Sequence, residues 1–369
     1  MNPLIRSLPL TAPWRKPLAM LALLLCAVTS AKADDLLSPC SRSGSGTNPG
    51  AYVCPALTIA AGKTISLSGG NKGALVLTVE GDFRVGAGSK INAGGLASDL
   101  TLIVAGLVDL GSDVSLTANL FSSGVVTTGA RSTLVGNIQT ASAAINVGEH
   151  SSVIGDLTTT VAGVINIGAY STVNGDLTTA SGAINVGDRS TINGAILSSV
   201  AGAVTLGTNV TVTGTVATTY HGSDVGAGAI TIGTGSEVKK GMTTHTGAIT
   251  IAAGSKVCGN VVTNDGAITV GASASVCNSV CTGNSGAITV GAGATVGGNV
   301  ETSTAGAITV GAGANVSGAV NVKNAGAKTI VAGATVGSVM LGGNCIWVAK
   351  ATTKPLKIVA REWRQIFMR

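Results

Sequence analysis

The sequence predicts an all-β fold, a single parallel β-solenoid (β-helix) of about 12 regular coils, and three observations predict it. Gly286–Gly298 reads GAITVGAGATVGG, and close copies return every 19 or 20 residues from about residue 106 to residue 338. Within each copy aliphatic residues alternate with small polar ones at period two, and glycine ends each run before it reaches helical length. The chain is 45% hydrophobic yet only 2% aromatic, so its interior must be thin and filled by Ile, Val, Leu and Ala. No single 20-residue unit closes a core, so each coil must bury its aliphatics against the coils above and below.

Residues 1–33 read as a secretory signal: Arg6, Arg15 and Lys16, then the apolar run Leu18–Val28, then Ala31-Lys32-Ala33 before Asp34-Asp35. The run is short for a membrane span and nothing later in the chain serves as one, so the mature chain is expected to start at Asp34 without a stable span. That places it on the Sec pathway, in the periplasm, at the cell surface or outside the cell. Six cysteines remain, an even number suited to an oxidising compartment: Cys40, Cys54, Cys258, Cys277, Cys281 and Cys345. Cys258 and Cys277 share a column one coil apart, within disulfide reach. Cys40 and Cys54 are expected to close an N-terminal loop, which leaves Cys281 and Cys345 as the third pair.

Residues 34–105 contain strand-like runs such as Leu57–Ile59, Leu75–Val79 and Leu102–Val104 without the regular period, and read as an N-terminal disulfide loop and irregular opening coils. Residues 106–340 are the regular solenoid. With the isoleucine of GAITVG as position zero, the column runs Val108, Val126, Ile145, Ile165, Ile184, Val204, Ile230, Ile249, Ile268, Ile288, Ile308 and Lys328. Further aliphatic columns lie two, eight and twelve places on, with glycine at ten, where sharp turns are expected to use its tolerance of positive φ. Residues 341–369 form a basic tail. Residues 34–349 hold 12 basic and 15 acidic residues, a net of −3, whereas the tail from Lys350 holds six basic and one acidic, a net of +5. A short amphipathic helix bearing Ile358, Trp363, Ile366 and Phe367 is expected there, capping the last coil or docking on a membrane surface or secretion partner.

The surface offers little chemistry. His150 and His245 lie in coil connections, and Asp156 and Asp176 fall in one column on adjacent coils. Cys277 and Cys281 have no histidine near them in the sequence. No catalytic residue, metal, cofactor or nucleic-acid partner is expected. A hexapeptide acyltransferase repeats six-residue steps three times per coil; here the step from Val270 to Val276 occurs once per coil. Two features remain as binding-face candidates. One is an outward threonine ladder: Thr205, Thr231, Thr250, Thr269, Thr289, Thr309 and Thr329. The other is the loop in the long interval between Val204 and Ile230, with Tyr220, His221 and Asp224. A second threonine column, including Thr159, Thr179, Thr263 and Thr282, lies fourteen places after position zero.

The segment Ile288–Val300, ITVGAGATVGGNV, resembles the coils of bactofilins and other polymer-forming bacterial β-solenoids, and the repeats of secreted MSHA-pilus-biogenesis Q-type surface proteins. The likeness covers roughly residues 100–340, while the signal segment and cysteines depart from the cytoplasmic bactofilins. The resemblance implies self-association into homo-oligomers or homopolymers, with cell-surface or pilus components as partners. The expected function is an exported, non-enzymatic structural protein; the alternative is an ice-binding or adhesive solenoid that uses the threonine ladder.

Overall fold

A computed structural model of the 369-residue chain describes residues 30–32, 37–43, 50–67, 75–218, 227–324 and 326–338. The chain is a parallel β-solenoid. Each regular coil contributes three short strands to three ladders, here sheets 1, 2 and 3. Ile145–Val147, Ser152–Ile154 and Leu157–Thr159 are one such set, stacked in register on Ile165–Ile167, Thr172–Asn174 and Leu177–Thr179 of the next coil. Sheet 1 begins at position zero and has 14 strands, from Leu57–Ile59 to Lys328–Ile330. At about 4.8 Å per rung it is on the order of 60 Å long.

The count of twelve regular coils therefore does not carry over. Leu57–Ile59 and Phe83–Val85, among the expected irregular opening coils, stack directly beneath Val108–Leu110, joined by longer connections. Sheets 2 and 3 merge at their C-terminal end because Asn315–Val322 runs round the corner and pairs with both. The expected C-terminal helix lies outside the described residues.

The aliphatic columns form one continuous core. Ile145, Ile165, Ile184, Ile230, Ile249, Ile268 and Ile308 are wholly buried, as are Val153, Val173, Val212 and Val238 from the column eight places on. Each such side chain removes enough apolar surface from water to contribute about 1.5–3 kcal/mol, which offsets the cost of ordering its glycine-rich coil.

Corners raise a different problem, because a tight turn leaves backbone groups inside without ladder partners. Short polar side chains meet that need in columns of their own. Ser171 Oγ accepts from the backbone N–H of Ser151 at 3.1 Å and donates to the carbonyl of Gly148 at 3.1 Å, and Ser190 repeats this one coil on. The second threonine column points inward: Thr159 Oγ1 donates to Gly163 O at 2.7 Å and Thr282 Oγ1 to Gly286 O at 3.0 Å. It supports corners and forms no part of an outer face.

The glycine column ten places on has a different cause from the expected one. Gly136 and Gly155 have positive φ, at 127° and 142°, but Gly175, Gly194 and Gly214 do not. A Cβ on Gly175 would run into the carbonyl of Gly155 on the neighbouring coil, so close backbone approach excludes side chains there. The left-handed corner lies five places after position zero.

A candidate binding face

Sheet 1 turns its position-zero side chains inward, so the next residue in each strand points out. The seven predicted threonines form an unbroken ladder from Thr205 to Thr329, each opposite the next in register. Six are exposed and Thr309 is half-buried. Alternation places Ala248, Ala267, Ala287 and Ala307 on the same side before each threonine, all exposed, and Gly271, Gly291 and Gly311 after it. The result is a flat strip of Ala, Thr and Gly. None of the seven hydroxyls has a hydrogen-bond partner among the described residues, although each can both donate and accept.

The same column earlier in the chain behaves differently. Asn166 Nδ2 donates to Asn146 Oδ1 at 2.7 Å, and Asn185 Nδ2 donates to Asn166 Oδ1 at 2.8 Å. This asparagine ladder satisfies much of its own hydrogen bonding along the stack, and that leaves less for a partner.

The left-handed corner separates the two halves again. Asp113, Arg131, His150, Tyr170, Arg189 and Asn209 occupy it with φ between 55° and 59°, while Gly235, Gly254, Gly293, Gly313 and Gly333 occupy it later, interrupted by Ser273. A non-glycine residue in this conformation costs about 1–2 kcal/mol, and contacts along the column offset part of that. His150 stacks on Tyr170 with ring centroids 4.7 Å apart, and Arg189 lies 5.4 Å from the Tyr170 centroid and donates to its hydroxyl at 2.9 Å. Arg131 grips Asp113 through two 2.8 Å hydrogen bonds, which hold the Asp113 carboxyl below its ordinary range and raise the Arg131 guanidinium further. Asp82 is also lowered, chiefly by the backbone N–H of Leu107 and then by Arg84. Sequence reasoning placed His150 in a coil connection, where it is indeed exposed, but missed this row. Its one signal was a fixed offset of five from position zero.

The aspartate pair has a backbone task. Asp156 Oδ1 accepts from the N–H of Asp176 at 2.8 Å, and Asp176 Oδ1 accepts from that of Ala195 at 2.7 Å. Asn137 caps Asp156 in the same way at 2.9 Å. The column is a corner brace in which one oxygen of each carboxylate accepts from the backbone of the next coil. Among the described residues no group of three or more His, Cys, Asp or Glu side chains is placed to hold a metal ion.

Two predicted disulfides are present. Cys40 and Cys54 are bonded with Cα atoms 4.2 Å apart, and Cys258 and Cys277 bridge adjacent coils with Cα atoms 4.6 Å apart. Cys281 also takes part in a disulfide, and Cys345, its expected partner, lies outside the described residues. Tyr220, His221 and Asp224 lie outside them as well. The loop that carries them leaves the ladder intact, since Val204–Leu206 pairs directly with Ile230–Ile232. No described helix is long and apolar enough to cross a membrane.

Comparison of the chain with protein-family models, curated proteins and solved structures finds no match. The fold and this face therefore carry the functional argument.

Proposed function

We propose that this is an exported, non-enzymatic structural protein that associates with copies of itself side by side, through the threonine strip of sheet 1. The observation that carries the reading is the in-register ladder from Thr205 to Thr329, flat, flanked by alanine and glycine, with hydroxyls that bond to nothing else described. Such a strip is complementary to itself, and it puts no long side chain in the way of close approach.

The ends support side-by-side over end-to-end contact. At the N-terminal end, Ser41–Ser43 pairs antiparallel with Ala51–Cys54, fixed by the Cys40–Cys54 disulfide, and so covers the opening of sheet 3. At the other end the aliphatic zero column finishes in Lys328, whose Nζ donates to Val320 O at 2.9 Å. An inward charge on a last rung is a common guard against edge pairing.

Seven rungs at about 4.8 Å by four residue steps at about 3.3 Å give a strip on the order of 400 Å². A standard interface buries about 800 Å² per partner, so one such contact is weak, and assembly is expected only where many copies are concentrated. The disulfides are compatible with an oxidising, extracytoplasmic location. Cleavage after Ala33 would also remove Ser30–Lys32, which pairs with Thr64–Ser66 at the outer edge of sheet 2.

Electron microscopy and sedimentation of the mature protein across a concentration series test the proposal. Concentration-dependent lateral arrays are expected, lost in Thr269→Arg/Thr289→Arg; monodisperse rods at every concentration would contradict it. Ice binding is the second reading, favoured by the same unpartnered hydroxyls. Its check is thermal hysteresis, which must be present in the parent protein and absent from the same double variant.

A further inference from the structure

The Cys258–Cys277 disulfide lies outside the core, on the outer face of sheet 2. Cys258 follows Val257 and Cys277 follows Val276, two buried valines paired in register, and alternation turns both cysteines to the opposite face. Cys258 is half-buried and Cys277 exposed, whereas Cys54, in the bond to Cys40, is wholly buried. The outer bridge also closes nothing that the ladder leaves open. Cys258 N–H donates to Val238 O at 2.9 Å and Cys277 N–H to Val257 O at 2.8 Å, so these rungs are joined through their backbones with or without the sulfurs.

The surroundings of the bond differ at its two ends. It runs from one coil to the next, and a thiolate attacking in line must approach its target sulfur from the side away from the other sulfur. Beyond Cys277 the next position in the column is Gly297, exposed and without a side chain, in register through Val276 and Val296. Beyond Cys258 the column holds Lys239, exposed, in register through Val238 and Val257. Lys256 lies on the same outward face two residues before Cys258, and Lys240 follows Lys239. Against these three cations, the only acids from residue 227 to residue 300 are Glu237, which pairs with Lys256 at 3.4 Å, and Asp265, which lies past sheet 3. Positive charge at the Cys258 end favours a thiolate there.

We propose that Cys258–Cys277 is an exchangeable disulfide, a site that oxidises an external dithiol, and that it opens in one direction. One thiolate of the dithiol enters over Gly297 and bonds to Cys277 Sγ; the bond between the two cysteines breaks, and its electron pair leaves on Cys258 as a thiolate beside Lys239. The dithiol's second thiolate then attacks the dithiol's own sulfur in the mixed disulfide. The dithiol becomes a disulfide, Cys277 leaves as a thiolate, and the two protons the dithiol released are available to the two cysteines. Both coils stay in register through their backbones. The threonine strip lies on sheet 1, so this inference stands apart from self-association.

Reduction of the folded full chain with dithiothreitol, quenched by alkylation and read by peptide mass spectrometry, tests the site. Cys258–Cys277 should open at least about fivefold faster than Cys40–Cys54, with the β-sheet circular dichroism spectrum unchanged. Brief treatment with glutathione, quenched with N-ethylmaleimide, should place glutathione on Cys277 and maleimide on Cys258 at least about threefold more often than the reverse. Lys239→Glu should slow opening at least about twofold. A smaller effect in any of the three, or loss of the β-sheet spectrum on opening, would overturn the proposal.

Discussion

From Val108 to Val186 the outward column of sheet 1 carries Asp109, Thr127, Asn146, Asn166 and Asn185, whereas from Val204 to Ile330 it carries threonine at every rung. The corner beside it changes a little later, from Asp, Arg, His, Tyr, Arg and Asn to a series that is mostly glycine. Beneath both stretches the interior is the same stack of Ile and Val. The core therefore constrains both halves alike, and the difference between them concerns only what each presents outside. In the first half side chains bond one another along the stack. In the second the face is flat and its threonine hydroxyls have no hydrogen-bond partner among the described residues.

The interior half of this comparison has the largest expected effect. Ile165→Ala and Ile268→Ala sit at equivalent wholly buried positions in the two halves, and each should cost about 2–5 kcal/mol. Thermal melting should register losses of similar size; a loss in one half only would break the claim of a common core.

Corner exchanges come next. Gly313→Ala places a side chain at φ 67° with no heavy atom within 4 Å to offset it and should destabilise by about 1 kcal/mol. Tyr170→Gly relieves similar strain but forfeits the stack on His150 and the Arg189 contacts, so its net change should stay within about 1 kcal/mol. Denaturant melts of the two variants give the contrast, and a large loss for Tyr170→Gly would show that the polar row holds the first half together.

The smallest effect is electrostatic. Asp82 and Asp113 have carboxyls held below the unfolded value near 3.9. Their contribution is therefore present above that pH and lost as pH falls through the lowered folded values. Both are solvent-exposed, so the parent should lose a little melting temperature between pH 5 and pH 2, and Asp113→Asn should lose less.

Sheet positions were readable from the sequence because a parallel stack puts equivalent residues on top of one another, so columns such as Ile249, Ile268 and Ile288 announce both register and burial. The Cys258–Cys277 bridge followed from the same logic. Corners were harder. The left-handed position hides in the first half because six different residue types fill it, and the glycines ten places on suggested a turn where close backbone approach was the cause. The second threonine column looks like the first in sequence, and only the path of the corner shows that Thr159 and Thr282 face inward. Asp156 and Asp176 looked like neighbouring like charges, yet each is an acceptor for the backbone of the next coil.

The most direct test of self-association through the threonine strip is a matched pair of double substitutions on the same sheet, Thr269→Arg/Thr289→Arg in the second half and Asn146→Arg/Asn166→Arg in the first. Sedimentation velocity of the mature protein at increasing concentration should show large species for the parent and for the asparagine variant, and monomer alone for the threonine variant. Equal assembly by both variants, or none by the parent, would contradict the account.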